Sequence, residues 1–566
     1  MSTHESKQQV SAASKDLDSK NLSVSRRSVL RTLGGVAGVG VMGGLPAAFS
    51  RPAKAAEIGP LTGAGREAEA LQRRLDAANF QAQVPAPALA CNGDEALYAN
   101  RIGNFSKTLP HNQLGEVDPA AYDAFLTALG SGQAADFDAI PAGGSGRLAN
   151  PRAAYAYTMS GADPHKIDMP AVHAFDSARQ AAELGEVYWM ALTRDIDFED
   201  YDRRPIIDQA AYDMSKFSDF SGPKVGGKVT PATLFRGLTP GDLAGPYISQ
   251  FLYLDIPYGD RSLEQVAKRP RANDDYMNTY ASWLAVQNGQ LPPSDNQLQR
   301  ERYISRGRDL GEYVHRDYTY QAYLNAALIC LGFGNALDPN PYSVATREGG
   351  FITFGPAAVL DMVGRAAVAS LRVAWFHKWL VHRKLRPEAF GGRVHNHLTG
   401  AATYPINSEF LNSRALTRLF SRQGNYLLPQ AFPEGSPTHP SYPAGHATIA
   451  GACVTILKAF FNEDFEIPSP VVPNGGGSQL RPYTGGDQLT LGGELNKLAS
   501  NIALGRNIAG VHWRADGDDG LVAGEAIAIT VLQDHLRTTI EDGGAFGLTR
   551  FDGTSILITE DNVQII

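Results

Sequence analysis

The sequence predicts a mainly α-helical protein built from helical bundles, with a short β-hairpin at its C-terminus. In the second half of the chain, long apolar stretches repeat their hydrophobic residues at helical spacing. The final residues change to an alternating pattern around Asp552-Gly553, a dipeptide typical of the tight turn between two strands. A chain of 566 residues is also long enough to bury a large hydrophobic core.

The first 55 residues have the composition of an export signal. Arg26-Arg27 belongs to a twin-arginine pattern, Leu33–Phe49 is a weakly apolar Gly/Ala-rich run, and Ala53-Lys54-Ala55 is typical of a cleavage site. A membrane anchor is the alternative, but glycines and a proline interrupt a run that is already short for a span. We expect twin-arginine export, a periplasmic or extracellular protein, and no permanent membrane span.

Residues 56–299 are predicted to form an N-terminal region of helices and loops. Residues 80–150 are rich in Pro, Gly and Ala, and this composition favours loops and short helices that wrap the surface. The longer helical patterns of this region are Gly65–Asn79, Ala171–Leu192 and Asp275–Asn288.

Residues 300–566 are predicted to form the C-terminal helical bundle that carries the functional site, because inward-facing side chains of such helices build sites. Its helical patterns are Tyr303–Leu331, Gly355–Leu385, Gly445–Phe461, Leu495–Ala509 and Trp513–Leu536. Leu548–Phe551 and Thr554–Thr559 are the predicted strands of the hairpin, and we expect them to serve surface packing or subunit contact.

The charge balance and the cysteines limit the partners of the protein. A formal net charge of −8 argues against nucleic acid, because phosphate binding requires a basic face. Cys330 and Cys453 lie in apolar helical runs, so buried thiols are expected there. Cys91 lies in a Pro/Ala-rich stretch that we expect to be exposed, and an odd exposed cysteine in an oxidising compartment suggests an intermolecular disulfide.

Three segments at the ends of predicted helices carry groups suited to binding an oxyanion. Lys378 and Arg386 lie at the end of one helix, where Pro387 prevents continuation, and Arg506 lies on a later helix. Each of these cations supplies charge-assisted hydrogen bonds worth about 1.5–3 kcal/mol to an oxyanion. Gly445 begins another helix, where free backbone N–H groups and the missing side chain favour close approach of an anion.

Histidines complete this set of residues. His512 and Asp516 are four residues apart, so both can lie on one face of a helix. One imidazole nitrogen can bind a metal centre while the other needs an acceptor, for which Asp516 is the candidate. A second histidine can transfer protons near neutral pH. The set suits phosphate, a phosphoryl transition state or vanadate.

In this order, the residues resemble the three signature motifs shared by vanadium haloperoxidases and phosphatidic-acid-phosphatase-type acid phosphatases. The strings KWLVHRKLRPEAFGG, SPTHPSYPAGHA and GRNIAGVHWRAD are similar to those of the algal-type bromoperoxidases in particular. The spacing of Lys378 and Arg386, and His439 upstream of His446, fit that branch. The strong similarity covers about residues 375–520, with weaker similarity expected from about residue 300 to the C-terminus.

The resemblance implies the helical-bundle fold of that family and vanadate as cofactor, with a structural calcium ion left open. It implies hydrogen peroxide, halide and small organic acceptors as partners, and a homo-oligomer. His512 would bind vanadium directly, and His446 would be the acid–base residue. The groups implied to hold the vanadate oxygens are Lys378, Arg386, Ala444, Gly445 and Arg506.

Lys378 and four further residues, His439, Asp317, Asp516 and His377, receive expected supporting roles. Lys378 would also polarise bound peroxide, and His439 would tune proton delivery or halide approach. Asp317 is expected to orient His446, whereas Asp516 and His377 are expected to border the site. The alternatives are a plain loop position for His439, a core or interface position for His377, and a surface charge for Asp317.

Ala444 departs from the family pattern, which often has serine at this position. The missing hydroxyl removes a hydrogen bond worth about 1 kcal/mol. We therefore expect weaker vanadate or peroxide activation and a shifted halide preference.

The predicted activity is vanadate-dependent oxidation of bromide and iodide by hydrogen peroxide to hypohalous acid, which halogenates organic acceptors. The first alternative is an acid phosphatase with a phosphohistidine intermediate on His512 and His446 as general acid, because vanadate mimics the phosphoryl transition state. The second alternative is a non-catalytic oxyanion-binding protein, against which two histidines and a lysine argue. The sequence contains no haem-attachment or dinucleotide-binding motif.

Overall fold

The computed structural model describes residues 62–293, 295–334 and 336–566. The export signal predicted for residues 1–55 lies outside these described residues. Within them, no helix combines the length and the apolar character that crossing a membrane requires.

Helices dominate the N-terminal half of the described chain, as predicted. Several begin at a polar cap: Ser177, for example, accepts a hydrogen bond from Gln180 N at 3.1 Å, so the helix expected from Ala171 starts only at Ala178. The α-helices within residues 62–293 are α1 (Gly63–Gln83), α2 (Asp94–Leu97), α3 (Pro119–Ser131), α4 (Ala134–Asp138), α5 (Ala178–Thr193), α6 (Pro205–Met214) and α7 (Tyr280–Gln287). Short 3₁₀ turns lie at Pro151–Tyr155, Pro164–Lys166, Phe198–Asp200 and Gln250–Leu252.

The C-terminal half contains the long helices that form the bundle. Its α-helices are α8 (Gly307–Arg316), α9 (Gln321–Gly332), α10 (Pro356–Phe376), α11 (Pro387–Leu398), α12 (Ser408–Leu411), α13 (Arg414–Gln423), α14 (Gly445–Phe460), α15 (Leu491–Ile508) and α16 (Arg514–Thr538). A 3₁₀ turn at Pro341–Val344 precedes α10.

Helix α14 is the centre of this bundle, and it packs against α10, α15 and above all α16. Every residue of α14 except His446 is buried. Glycines allow the close approach to α16: a Cβ on Gly451 would lie 2.1 Å from the Leu521 carbonyl oxygen, and one on Gly524 would lie 2.1 Å from the Thr448 oxygen. The bundle therefore holds the start of α14 rigidly against the start of α16.

Two helices expected as single runs are interrupted. The expected helix Tyr303–Leu331 is two helices, α8 and α9, because the chain becomes extended at Asp317, with φ −64° and ψ 146°. The expected helix Gly355–Leu385 is α10 followed by a π-helical turn at His377–His382, which ends where Arg383 adopts a φ of +43°. Both interruptions lie beside candidate site residues, where irregular helical turns are frequent.

Strands are short and lie outside the bundle core, apart from the C-terminal sheet. Antiparallel pairs join β1 (Ile256–Tyr258) to β2 (Arg261–Leu263), β3 (Ala267–Pro270) to β4 (Leu298–Arg302), and β5 (Val471–Pro473) to β6 (Leu480–Pro482). A Gly-rich loop of residues 474–479 connects β5 to β6.

The C-terminal hairpin is present and has a third strand. β7 (Phe546–Thr549) pairs with β8 (Ser555–Ile558), and β8 pairs with β9 (Val563–Ile565). Phe546 and Ile558 are buried, and the Phe546 ring lies 5.0 Å from that of Phe460 at the end of α14. The expectation of surface packing is therefore wrong for the inner face of this sheet, which closes one end of the bundle.

Candidate oxyanion-binding site

Lys378 lies at the end of α10 and is completely buried. Its Nζ donates hydrogen bonds to the carbonyl oxygens of Pro440 and Ser441, at 2.8 and 2.7 Å. The π-helical turn directs this side chain toward the loop before α14 instead of toward solvent. Burial lowers the pKa of Lys378 well below its ordinary value, and the positive charges of Arg386 and Arg506 lower it further.

Arg386 joins three parts of the site. It precedes α11, where Pro387 begins the helix, and its side chain is buried. Nη1 donates to His512 Nε2 at 2.8 Å, and Nη2 donates to His439 Nδ1 at 2.9 Å. Nε also donates to the His439 carbonyl oxygen at 3.0 Å. One guanidinium group thus connects the loop before α14 to the segment before α16.

His512 is held in one tautomer by its partners. Its Nδ1 lies 2.6 Å from Asp516 Oδ2, one helical turn later, so Nδ1 carries the proton and donates it to the carboxylate. Nε2 keeps its lone pair, which faces Arg386. Asp516 also accepts hydrogen bonds from Ser441 Oγ and from Trp513 N. The sequence-derived pairing of His512 with Asp516 is present in the structure.

Arg506 lies near the end of α15 and is buried against the Phe432 ring, with 5.6 Å between the guanidinium carbon and the ring centre. Nη1 donates to the Val314 carbonyl oxygen at 2.6 Å, whereas the buried Nε has no hydrogen-bond partner within the protein. Burial lowers the pKa of Arg506 to about 10, while the carboxylates of Asp317 and Glu434 oppose this shift.

The start of α14 faces the same region. Ala444 is its N-cap and offers no side-chain cap, so the first N–H groups of the helix receive no acceptor from the cap residue. Ala444 N donates to the Asp516 carbonyl oxygen at 2.8 Å, which holds the helix start beside His512. A Cβ on Gly445 would lie 3.4 Å from the Trp375 ring, so this position borders the site closely.

His446 and Asp317 meet although they are far apart in the sequence. His446 Nε2 lies 3.1 Å from Asp317 Oδ1, and about a third of the His446 side chain is exposed. Asp317 reaches this position because it lies where the chain leaves α8. The Asp317 carboxylate therefore accepts a hydrogen bond from His446 Nε2, and Nδ1 is the ring nitrogen that does not face Asp317.

We name the cluster formed by Lys378, Arg386, Arg506, His512 and the first turn of α14 the oxyanion cup. Burial lowers the pKa of His512 well below its ordinary value, and the nearby charges of Arg386, Lys378 and Arg506 lower it further. The lining of the cup supplies many donors, because three cations and helical N–H groups converge on it, and Asp516 is occupied by His512, Ser441 and Trp513. Burial of several cations together is unfavourable unless an anion compensates them. The donors, the unpartnered Arg506 Nε and the unprotonated His512 Nε2, which here accepts a hydrogen bond from Arg386, fit a metal oxyanion such as vanadate.

His377 is the one expected border residue that the structure places elsewhere. Its Nε2 lies 3.1 Å from the Ile167 carbonyl oxygen, and its ring stacks 5.7 Å from that of His382. Adjacent residues of a helix point about 100° apart, so His377 cannot follow Lys378 into the oxyanion cup. Burial lowers the pKa of His377 to about 4. His377 thus has the buried core position that was the alternative to bordering the site.

Several residues at the site carry no motif that would have revealed them. The Trp375 ring is only partly buried and lies 4.9 Å from the His439 ring. Behind Arg506, the His315 ring stacks 3.8 Å from Phe432, and His315 Nε2 lies 2.6 Å from Glu434 Oε1. A helical spacing of four residues between Trp375 and Leu371 was the available signal for this face of α10.

Comparison with known proteins agrees with this geometry. A family model described as the VCPO second helical-bundle domain matches residues 423–541. A vanadium-dependent bromoperoxidase of Ascophyllum nodosum is 36% identical over 528 residues, which cover 88% of this chain and 94% of that protein. One from Corallina officinalis is 33% identical over 599 residues, which cover 87% of this chain and 100% of that protein.

Among solved structures, the homohexameric second vanadate-dependent bromoperoxidase of Ascophyllum nodosum matches with a TM-score of 0.85 and 31% identity. The match covers 94% of this chain and 96% of that chain. The similarity therefore extends well beyond the segments that carry the motifs and includes most of the N-terminal region.

Proposed function

Because this chain belongs to the vanadium-dependent haloperoxidase family, we propose that its oxyanion cup binds vanadate and that the enzyme oxidises bromide and iodide with hydrogen peroxide. The hypohalous acid formed in this way halogenates small organic acceptors. The observation that carries the proposal is the clustering of three buried basic side chains around His512, whose Nδ1 is bonded to Asp516 and whose Nε2 faces Arg386.

We assign each vanadate contact to a group of this chain. His512 Nε2 binds the metal atom, and the oxygens are held by Lys378, by the guanidinium groups of Arg386 and Arg506, and by the amides at the start of α14, including that of Gly445. When bound, vanadate supplies a Lewis acid that activates hydrogen peroxide. The buried surroundings strengthen each of these charge-assisted hydrogen bonds, because little water competes for the donors.

We assign proton transfer to His446 and hydrogen-bond donation to Lys378. His446 Nε2 donates a hydrogen bond to Asp317 Oδ1, so we assign Nδ1 as the atom that accepts the proton lost by hydrogen peroxide. Lys378 Nζ donates to the oxygen on which negative charge develops. His439, which accepts a hydrogen bond from Arg386 and contacts Trp375, tunes halide approach at the rim of the cup.

The test is bromination of phenol red by the purified protein with hydrogen peroxide, with and without added vanadate, after vanadate has been removed by dialysis. We expect activity only when vanadate is present, and loss of that activity in His512→Ala. His165→Ala is the matched control, because His165 is half-exposed and pairs with Asp163 outside the cup. Hydrolysis of phenyl phosphate without vanadate-dependent bromination would instead support a phosphatase.

We extend the proposal to the assembly. The Ascophyllum nodosum relative is described as homohexameric, and this chain is proposed to form a homo-oligomer as well. Cys91 is an exposed free cysteine, which supports an intermolecular disulfide at this position. Size-exclusion chromatography with light scattering gives the number of subunits. Non-reducing electrophoresis of the protein and of Cys91→Ser tests the disulfide, and a band that is independent of Cys91 contradicts it.

Export and calcium are further parts of the proposal. Twin-arginine export to the periplasm or the exterior rests on residues 1–55, and cell fractionation of Arg26→Lys/Arg27→Lys tests it.

A structural calcium ion is testable by elemental analysis of the purified protein. Within the described residues, no group of three or more His, Cys, Asp or Glu side chains is arranged to hold a metal ion.

A further inference from the structure

An irregular segment of the N-terminal region, Ile102–Leu109, runs through the interior next to the oxyanion cup. All of its residues are buried, although it forms neither a helix nor a strand. Buried backbone groups require hydrogen-bond partners. Phe105 N donates to the Arg383 carbonyl oxygen at 2.8 Å, and Leu385 N donates to that of Gly103 at 3.1 Å. The segment thus pairs with the chain directly before Arg386.

Lys107, in the same segment, makes three buried contacts that reach two different parts of the site. Its Nζ lies 2.6 Å from Glu388 Oε1 and donates to the carbonyl oxygens of Glu434 and Ser436, at 2.8 and 2.6 Å. These bonds use all three N–H groups of the ammonium. Glu388 Oε2 accepts a further hydrogen bond from Ser436 N at 2.6 Å.

These contacts connect α11 to the loop that contains Ser436 and His439, and Arg386 contacts the same loop. Glu388 lies two residues after Arg386 on α11, and Ser436 lies three residues before His439. Arg386 binds both the carbonyl oxygen and Nδ1 of His439. Lys107 therefore adds a charged bridge between the start of α11 and the loop of His439, beside the direct Glu388–Ser436 hydrogen bond.

We propose that Lys107 is a positioning residue for the oxyanion cup: it touches no reacting group but keeps Arg386 and the His439 loop in the arrangement that binds vanadate. This inference rests on the proposed function. Without the ammonium, Glu388 remains as a buried carboxylate without a counter-charge, close enough to influence Arg386. Glu388 then competes with an oxyanion for that guanidinium group, while the loop loses the two hydrogen bonds that its Glu434 and Ser436 carbonyl oxygens accept from Lys107.

The test measures oxyanion binding directly, by titration calorimetry of the vanadate-free protein with orthovanadate and with inorganic phosphate. We expect Lys107→Met to raise both Kd values at least tenfold. Lys497→Met is the matched control, because Lys497 is equally buried and its Nζ also lies 2.6 Å from a glutamate, Glu494 Oε1, away from the cup. It should lower Tm by a similar amount and leave both Kd values within twofold of wild type.

Two further variants separate positioning from folding. Lys107→Arg keeps the charge and several donors, and it should recover most of the affinity. Lys107→Met/Glu388→Gln restores charge balance and guards against misfolding of the single variant; we still expect a tenfold loss, because the loop carbonyls lack their donor.

Three results would overturn the proposal. The first is equal loss of Tm in Lys107→Met and Lys497→Met with unchanged Kd values, and the second is wild-type affinity in the double variant. The third is a wild-type protein that binds neither oxyanion; this result contradicts the proposed function, and the inference about Lys107 falls with it. Weak binding by Lys107→Met beside tight binding by wild type supports both.

Discussion

At the scale of the residue, the chemistry of the site depends on which nitrogen of each histidine carries the proton. Asp516 holds the proton of His512 on Nδ1, and Asp317 holds that of His446 on Nε2. The two imidazoles therefore present opposite nitrogens: His512 presents Nε2 and His446 presents Nδ1. In the proposed function, His512 is the metal ligand and His446 the proton acceptor, and the position of one carboxylate makes this difference between two identical side chains.

The carboxylate of Asp516 gives the first prediction. Asp516→Asn removes the strong acceptor for His512 Nδ1–H, so the imidazole loses its preferred tautomer and orientation. We expect vanadate affinity to fall about 10- to 100-fold with an unchanged circular dichroism spectrum. Asp518→Asn is the control, because Asp518 lies on the same helix but is partly exposed and does not bond His512. Equal affinities of the two variants would contradict this role.

His315 gives a prediction about pH. Burial disfavours its charged form, but hydrogen bonds to Glu312 and Glu434 outweigh this and raise the pKa of His315 to about 9. Because this value lies above the unfolded value of 6.5, the stabilisation is complete below pH 6.5 and is lost as the pH rises through 9. A shift of this size corresponds to on the order of 3 kcal/mol.

The measurement is urea unfolding of wild type and His315→Gln at pH 6 and pH 9.5. We expect the advantage of wild type in free energy of unfolding to be large at pH 6 and to shrink strongly at pH 9.5. A difference between the two proteins that is the same at both pH values would show that the ion pair with Glu434 does not contribute through the charge of His315.

At the scale of the element, the start of α14 combines two functions. It begins a buried helix and also presents N–H groups to the oxyanion cup, and Ala444 leaves these groups without a side-chain cap. A serine would be a better N-cap, but its hydroxyl would also reach toward the site. The residue at this position therefore links helix stability to catalysis.

Ala444→Ser tests this link. We expect the free energy of unfolding to rise by about 1 kcal/mol, since serine caps the helix better than alanine, and the ratio of bromide to iodide oxidation to change. Gln133→Ser is the control, because Gln133 is the uncapped N-cap of the distant helix α4. Unchanged halide kinetics in Ala444→Ser would remove the proposed effect of the missing hydroxyl.

At the scale of the whole molecule, the buried cations couple oxyanion binding to stability. Burial lowers the pKa of Arg386 to about 9 and that of Arg506 to about 10, so charged arginines in the vanadate-free cup are held at a free-energy cost. An anion that binds only the folded protein compensates this cost.

The corresponding prediction concerns thermal unfolding. Vanadate at one hundred times its Kd should stabilise the protein by about 2.7 kcal/mol and raise Tm accordingly. Lys378→Met should lose most of this rise, because one of the converging cations is missing. Lys497→Met should keep it. A Tm that does not respond to vanadate in the wild-type protein would contradict the coupling.

Much of the fold could be predicted because helical periodicity is a local property of the chain. The helices Leu491–Ile508 and Arg514–Thr538 begin and end within a few residues of the predicted ranges, and the strands flank the predicted Asp-Gly turn. The break at Asp317 was missed, because the apolar pattern continues across it. The helix opens there for a tertiary reason, the approach of Asp317 to His446.

The sequence alone determined which side chains are chemically able to hold an oxyanion, namely Lys378, Arg386, Arg506 and His512, since residue type and motif order are written along the chain. Only the tertiary structure decided that Lys107 supports Arg386 and that His377 points away. These relations join segments that are hundreds of residues apart or depend on the direction of one helical turn. Such relations depend on packing, and no local pattern encodes them.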